Sequence, residues 1–185
     1  AAALTSLATI RCGAGLVTLG IPESLNETAQ KKINNVIMTF PLKETKEQTL
    51  SLAAFSQIRK TFPTYNAIAI GPGLSENPGT QKFILRMIEQ SPVPLVIDAD
   101  ALNALCGHLK SLIKTATLKV LTPHPGEMSR LISTKKETLE RNRKNVAETF
   151  SKQYQCTLLL KGNKTIVASP GKKTHINTTG NPGMA

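Results

Sequence analysis

Along the 185 residues, short continuous runs of apolar, often β-branched residues alternate with stretches whose apolar positions recur at helical spacing. The opening AAALTSLATIR (1–11) is Ala/Leu-rich and predicts a helix that Gly13 is placed to stop. LVTLG (16–20) and NNVIMTF (34–40) read as buried strands. Leu50, Ala54 and Ile58 form one apolar stripe and predict a helix over 47–60. AIAI (67–70) is a strand that ends in the turn GPGL. Asn77 followed by Pro78 is a cap and first-turn signal for a helix over 79–90, with Phe83, Ile84, Met87 and Ile88 as its inner face.

The alternation continues to the end of the chain. PLVID (94–98) predicts a strand and ADALNAL a helix. KVLT (119–122) is a strand that stops at Pro123. Leu139, Val146, Ala147, Phe150 and Tyr154 suit the buried side of a long helix. CTLLLKG and KTIVASP flank Asn163 as two strands joined by a tight turn, and THIN (174–177) is a third short strand. Such alternation predicts an α/β fold of three layers, α/β/α, around a doubly wound and mainly parallel sheet with strands buried on both faces and an antiparallel edge near 165–177.

Composition narrows the function classes. The net charge of +11, from 23 Lys+Arg against 12 Asp+Glu, is spread over the chain and reads chiefly as a lysine-rich solvated surface. Aromatic residues make up 4%, too few for the stacking platforms that single-stranded nucleic acid needs, so no nucleic-acid partner is expected. Cys12, Cys106 and Cys156 are odd in number and far apart, and without a CxxC pair they signal neither a disulfide frame nor a zinc site. They suit reduced thiols in a cytoplasmic protein, and no apolar run approaches bilayer length, so no membrane partner is expected either.

The least ordinary residues fall at strand ends, where open α/β sheets bind ligands. Gly71-Pro72-Gly73 follows one strand and leaves amides uncovered ahead of a helix, which suits an anion and equally suits a plain turn. It lacks the Lys-Ser/Thr of a Walker loop, and GAG (13–15) lacks the third glycine of a dinucleotide fingerprint. DADALN places Asp98 and Asp100 two apart, with Asn103 on the next turn; one of the acids is expected to cap that helix. In TPHPGE, Pro123 and Pro125 hold His124 in restricted, extended backbone. Glu127, three residues on, suits either a water-mediated contact to Mg²⁺ or a first-turn acid. KGNKT, from Lys161 through Gly162, Asn163 and Lys164 to Thr165, forms a hairpin tip that is either solvated or a holder of nucleotide phosphates.

The motifs GAGLV, GPGL, DADALN, LTPHPGE, LLLKG and TTGNPGMA, in that order, make the whole chain resemble the ADP/ATP-dependent NAD(P)H-hydrate dehydratases of the ribokinase-like superfamily. TPHPGE together with GNPGMA carries the specificity, and the related vitamin-precursor kinases place Asn where this chain has His124. The resemblance implies one ribokinase-like domain over 1–185 that turns hydrated NAD(P)H back into NAD(P)H at the expense of ADP or ATP with Mg²⁺, in a homo-oligomer of tetramer size or larger. It implies that Ala1, Gly73 and His124 contact the hydrated cofactor. Lys161, Gly162, Asn163, Lys164 and Thr165 would hold the adenine nucleotide, Glu127 would reach the metal through water, and Asp98 and Asn103 would shape the floor between the two ligands. In such relatives a Gly-Asp segment follows GNPGMA and supplies the catalytic base, and a glycine-rich element precedes the position of Ala1. On that expectation the chain is truncated at both ends and inactive alone. The competing expectations are a ribokinase-like small-molecule kinase of the thiazole or pyrimidine type, and a non-enzymatic nucleotide-binding module.

Overall fold

The computed structural model describes residues 1–33 and 35–180. Its first part consists of helix α1 (Ala2–Arg11), strand β1 (Val17–Pro22), helix α2 (Asn26–Lys32) and strand β2 (Ile37–Leu42). β1 and β2 pair in parallel, with Val17 opposite Ile37. Leu19, Ala29 and Ile37 make a small core there, closed by Leu7 and Ile10 from α1.

The rest of the chain contributes α3 (Ala54–Thr61), β3 (Ile68–Ile70), α4 (Pro78–Gln90), β4 (Leu95–Ile97), α5 (Asp100–Ala104), β5 (Lys119–Leu121), α6 (Pro125–Leu131), α7 (Lys136–Arg141), α8 (Arg143–Tyr154), β6 (Thr157–Leu160), β7 (Ile166–Ala168) and β8 (His175–Ile176). Strands β3 to β8 form one sheet in sequence order. β3 to β6 run parallel, and β7 and β8 add the antiparallel edge. Register places Ile70, Ile97, Leu121, Leu158 and Ala168 in one row across five strands, each at most 6% exposed. Burial of each large side chain of this row contributes about 1.5–3 kcal/mol. Helix α4 packs into the same core through Phe83, Ile84, Met87 and Ile88, and its cap is as predicted: Asn77 Oδ1 accepts from the Gly79 amide at 2.8 Å.

Three sequence expectations are refined by the structure. The strands alternate in burial: Ala69, Val96, Val120, Leu159 and Val167 share the second sheet face and are partly or largely exposed, Val96 at 40%. The helix expected over 47–60 starts only at Ala54, because the Thr45 amide donates to the Thr49 carbonyl at 2.7 Å and closes a turn first. Leu50 is still buried, but it sits on the bridge to Glu44 rather than on a helix. The long helix breaks at Asn142, whose φ of −129° and ψ of 25° separate α7 from α8. Leu139, Ala147 and Phe150 keep their buried side across the break.

Candidate functional site at the carboxyl ends of the parallel strands

Because β3 to β6 are parallel neighbours, their carboxyl ends share one rim, and the motif residues follow there in order. Gly71 leaves β3 at φ +127°, and a Cβ on it would lie 1.7 Å from the Asp98 carbonyl oxygen. Only glycine lets the β3 exit cross the end of β4 this closely. Gly73 is also left-handed, at φ +76°, and the position a Cβ would take is 3.3 Å from the Ala1 methyl group. Ala1 and Gly73 are therefore brought side by side.

At the end of β4, Asp98 does not cap α5. Its Oδ1 accepts from Lys161 Nζ at 2.9 Å, which joins the ends of β4 and β6 over the intervening β5. Burial pushes the Asp98 carboxyl up, but hydrogen bonds from Lys161 and Thr122 and the Lys161 charge outweigh it and leave the carboxyl below its ordinary value. Asp100 does not cap the helix either: its Oδ2 accepts from the Ser75 amide at 2.8 Å, tying the GPGL turn to the start of α5. Between the two acids Ala99 is held at φ +49°, uncommon for a residue with a Cβ. Asn103 donates to Glu76 at 3.1 Å and accepts from Arg130 Nη2 at 3.0 Å, so it links the β3–α4 loop, α5 and α6 at the rim.

His124 follows β5 by three residues and caps α6, with φ −79° and ψ 167° as the flanking prolines require. Its Nδ1 accepts from the Gly126 and Glu127 amides at 3.0 and 3.3 Å, while Glu127 Oε2 accepts from the His124 amide at 2.8 Å. This reciprocal box fixes the ring's tautomer: an Nδ1 that accepts leaves the proton on Nε2. Nε2 itself lies 3.6 Å from Glu127 Oε1, beyond a hydrogen bond. The His124 side chain is 51% exposed and that of Glu127 only 9%, so the ring is offered to solvent from a buried support.

Beyond β6, residues 161–165 form the predicted hairpin tip. The Lys161 amide donates to the Pro123 carbonyl at 2.9 Å, which fastens the tip to the His124 turn. Arg143, which no motif in the sequence singles out, lies beneath this loop and donates to the carbonyls of Leu160, Lys161 and Asn163 at 3.3, 3.1 and 2.6 Å. Among the described residues no group of three or more His, Cys, Asp or Glu could hold a metal. Asn181–Ala185, the end of the GNPGMA motif, lies outside the described residues.

The sequence profile of the NAD(P)H-hydrate dehydratases matches residues 1–185. The chain belongs to that family. It is 40% identical over 182 residues to a protein of Moorella thermoacetica called bifunctional NAD(P)H-hydrate repair enzyme Nnr, covering 98% of this chain and 34% of that protein. It is 30% identical to the ADP-dependent (S)-NAD(P)H-hydrate dehydratase of Bacillus subtilis, covering 100% of this chain and 61% of the relative. The chain thus spans about a third of the length of the first relative and 61% of the second. The crystal structure of the Bacillus subtilis ADP/ATP-dependent dehydratase co-crystallised with ATP/Mg²⁺ matches with a TM-score of 0.71 at 26% identity, over 97% of this chain and 59% of that one. A ribokinase-like superfamily protein of Enterococcus faecalis shares the fold at a TM-score of 0.72 and 24% identity, over 97% of this chain and 58% of that one.

Proposed function

We propose that the protein to which this chain belongs restores hydrated NAD(P)H to NAD(P)H in a nucleotide-dependent dehydration. Hydroxide leaves a ring poorly, so the ring hydroxyl first takes a phosphoryl group from ADP or ATP and gives its proton to a base. The C–O bond then breaks with inorganic phosphate as leaving group, pushed by the lone pair of the ring nitrogen. Loss of the neighbouring ring proton restores the double bond, leaving NAD(P)H, phosphate and AMP or ADP. The protein's share is positioning and charge neutralisation.

In this reading His124 offers its Nε2–H to the hydrated cofactor beside Gly73 and Ala1, and Glu127 keeps the ring turned. Lys161 and the amides of Gly162 to Thr165 hold the nucleotide phosphates. Asp98 places the Lys161 ammonium, and Asn103, braced by Glu76 and Arg130, forms the floor. The residues fit Mg²⁺ only as a water-mediated neighbour: among the described residues Glu127 Oε1 has no partner nearer than the 3.6 Å imidazole contact, and Asp98 is engaged by Lys161. When bound to the nucleotide phosphates, Mg²⁺ supplies charge neutralisation and needs few direct carboxylates. The same reading includes a cytoplasmic protein that assembles as a homo-oligomer of tetramer size or larger.

What best supports it is the convergence of the Gly71–Gly73 turn, the His124–Glu127 box and the Asp98–Lys161 pair on one rim. The test is recovery of dihydronicotinamide absorbance from hydrated NADH by the full-length protein, with ADP and with ATP. Failure with both nucleotides would sink the reading, and a stable phosphorylated product without elimination would favour a kinase. His124→Ala is expected to impair use of the hydrated cofactor more than nucleotide binding, and Lys161→Ala the reverse. Equal losses in both variants would refute this division of the cleft.

A further inference from the structure

We infer that Arg143 is a positioning residue that turns the 161–165 loop into an anion receptor; this rests on the nucleotide reading of that loop. Arg143 is the first residue of α8, about one helix length away from the rim in sequence, yet its guanidinium lies under the loop. Nη2 donates to the carbonyls of Leu160 and Lys161, and Nη1 donates to that of Asn163. Nε, buried and without a hydrogen-bond partner among the described residues, faces the Glu140 carboxylate at 3.7 Å, so the head group is steered from α7 while its Nη donors go to the loop. The side chain of Arg143 is only 15% exposed.

Peptide planarity gives this arrangement its consequence. In a trans peptide the carbonyl of one residue and the amide of the next point in opposite directions. Drawing the Lys161 and Asn163 carbonyls down to Arg143 therefore turns the Gly162 and Lys164 amides up and away from it. Neither amide donates to an acceptor among the described residues. The Leu160 carbonyl is drawn the same way, and the Lys161 amide, facing opposite, is the one fastened to Pro123. Gly162 sits at φ +134°, and a Cβ there would come within 2.9 Å of Arg143 Nη2, so loop and guanidinium are in direct contact. Lys164, at φ +56°, is the second left-handed position of the same tip. Successive unpaired amides in such a turn are donors of the kind that bind phosphate oxygens, and they follow directly on Lys161, whose ammonium sits on Asp98 at 2.9 Å. Lysine at position 143 keeps the positive charge, but a point-like ammonium does not reproduce a planar fork across three carbonyls.

The test is calorimetric binding of ADP and of ATP, with Mg²⁺, to the full-length wild type, Arg143→Ala and Arg143→Lys, alongside steady-state kinetics with hydrated NADH. Loss of the clamp lowers the fraction of loop in the competent shape, and apparent affinity falls in proportion, so a fraction reduced tenfold weakens nucleotide binding about tenfold. Both variants are expected to raise the nucleotide Kd and KM by about that factor or more, with the KM for the hydrated cofactor unchanged. Full retention of nucleotide affinity in either variant would overturn the role assigned to Arg143 while leaving the loop's function intact. Absence of nucleotide binding in the wild type would instead remove the loop reading itself. A variant that loses both affinities together would show a purely structural arginine. Should Arg143→Ala fail to fold, hydrogen exchange at the Gly162 and Lys164 amides of Arg143→Lys decides. Unchanged exchange on adding ADP in the variant, against slowed exchange in the wild type, is the expected result, and equal slowing in both overturns the proposal.

Discussion

Gly71→Ala tests how tightly the rim is built. The residue sits at φ +127°, where an L side chain is strained by roughly 1–3 kcal/mol. The added methyl group would also fall 1.7 Å from the Asp98 carbonyl oxygen, 2.8 Å from its carbon and 3.0 Å from Ala101 Cβ, so the strand end itself has to move. That movement strains the hydrogen bond from the Asp98 amide to the Ile70 carbonyl, now 3.1 Å, worth about 1 kcal/mol. Overpacking against backbone adds about 1–3 kcal/mol. A total of at least about 3 kcal/mol lowers Tm by roughly 6–12 °C in a protein of this size. Gly13→Ala is the control: it is also left-handed, at φ +99°, but nothing lies within 4 Å of its Cβ position. It carries only the backbone strain, roughly 1–2 kcal/mol. Thermal unfolding followed by circular dichroism gives both values. Equal Tm losses in the two variants would refute the claim that the Asp98 backbone occupies the space at Gly71.

Two further outcomes are expected elsewhere in the fold. Thr80 is fully buried, with Oγ1 2.8 Å from both Thr49 Oγ1 and the Leu50 carbonyl; Thr49 Oγ1 keeps Thr45 Oγ1 at 2.9 Å, but Thr80→Val takes the hydroxyl donor from the buried Leu50 carbonyl and costs about 1–3 kcal/mol. Urea titration should show a lower midpoint with an unchanged slope; an unchanged midpoint would count against the pairing. Burial pushes the Cys156 thiol up from its ordinary 9.0 to about 12, with Lys119 pulling slightly the other way. Between those values the unfolded thiol has lost a proton that the folded one keeps, so stability falls as pH rises through that window. Cys156→Ala should shallow that alkaline loss, and iodoacetamide should label exposed Cys12 while sparing Cys156 in the native protein; rapid native labelling of Cys156 would contradict its burial.

Features written locally in the chain were legible. Asn77-Pro78 fixed the start of α4, and the spacing of Phe83, Ile84, Met87 and Ile88 fixed its inner face, because cap and period are short-range signals. The strand-end motifs could be placed on one rim once the strands were read as parallel, since direction alone decides which ends coincide. What could not be read depends on partners distant in sequence. Asp98 and Asp100 resemble caps locally, but Lys161 and the Ser75 amide claim them from 63 and 25 positions away. Arg143 carries no motif; its part is set by carbonyls 17, 18 and 20 positions along, where only the folded loop gathers them. The later start of α3 and the break at Asn142 are competitions between local turns and apolar stripes that periodicity does not weigh.

The bond between Lys161 and Asp98 makes the rim a place of anion exchange. Any phosphate that recruits the Lys161 ammonium takes it from a carboxylate that already holds it at 2.9 Å, so arrival of one negative group releases another. Once released, Asp98 loses the interactions with Lys161 that hold its carboxyl low, and its proton affinity climbs. In acid solution such a ligand therefore brings a proton in with it, and the measured heat of association should change with the ionisation enthalpy of the buffer.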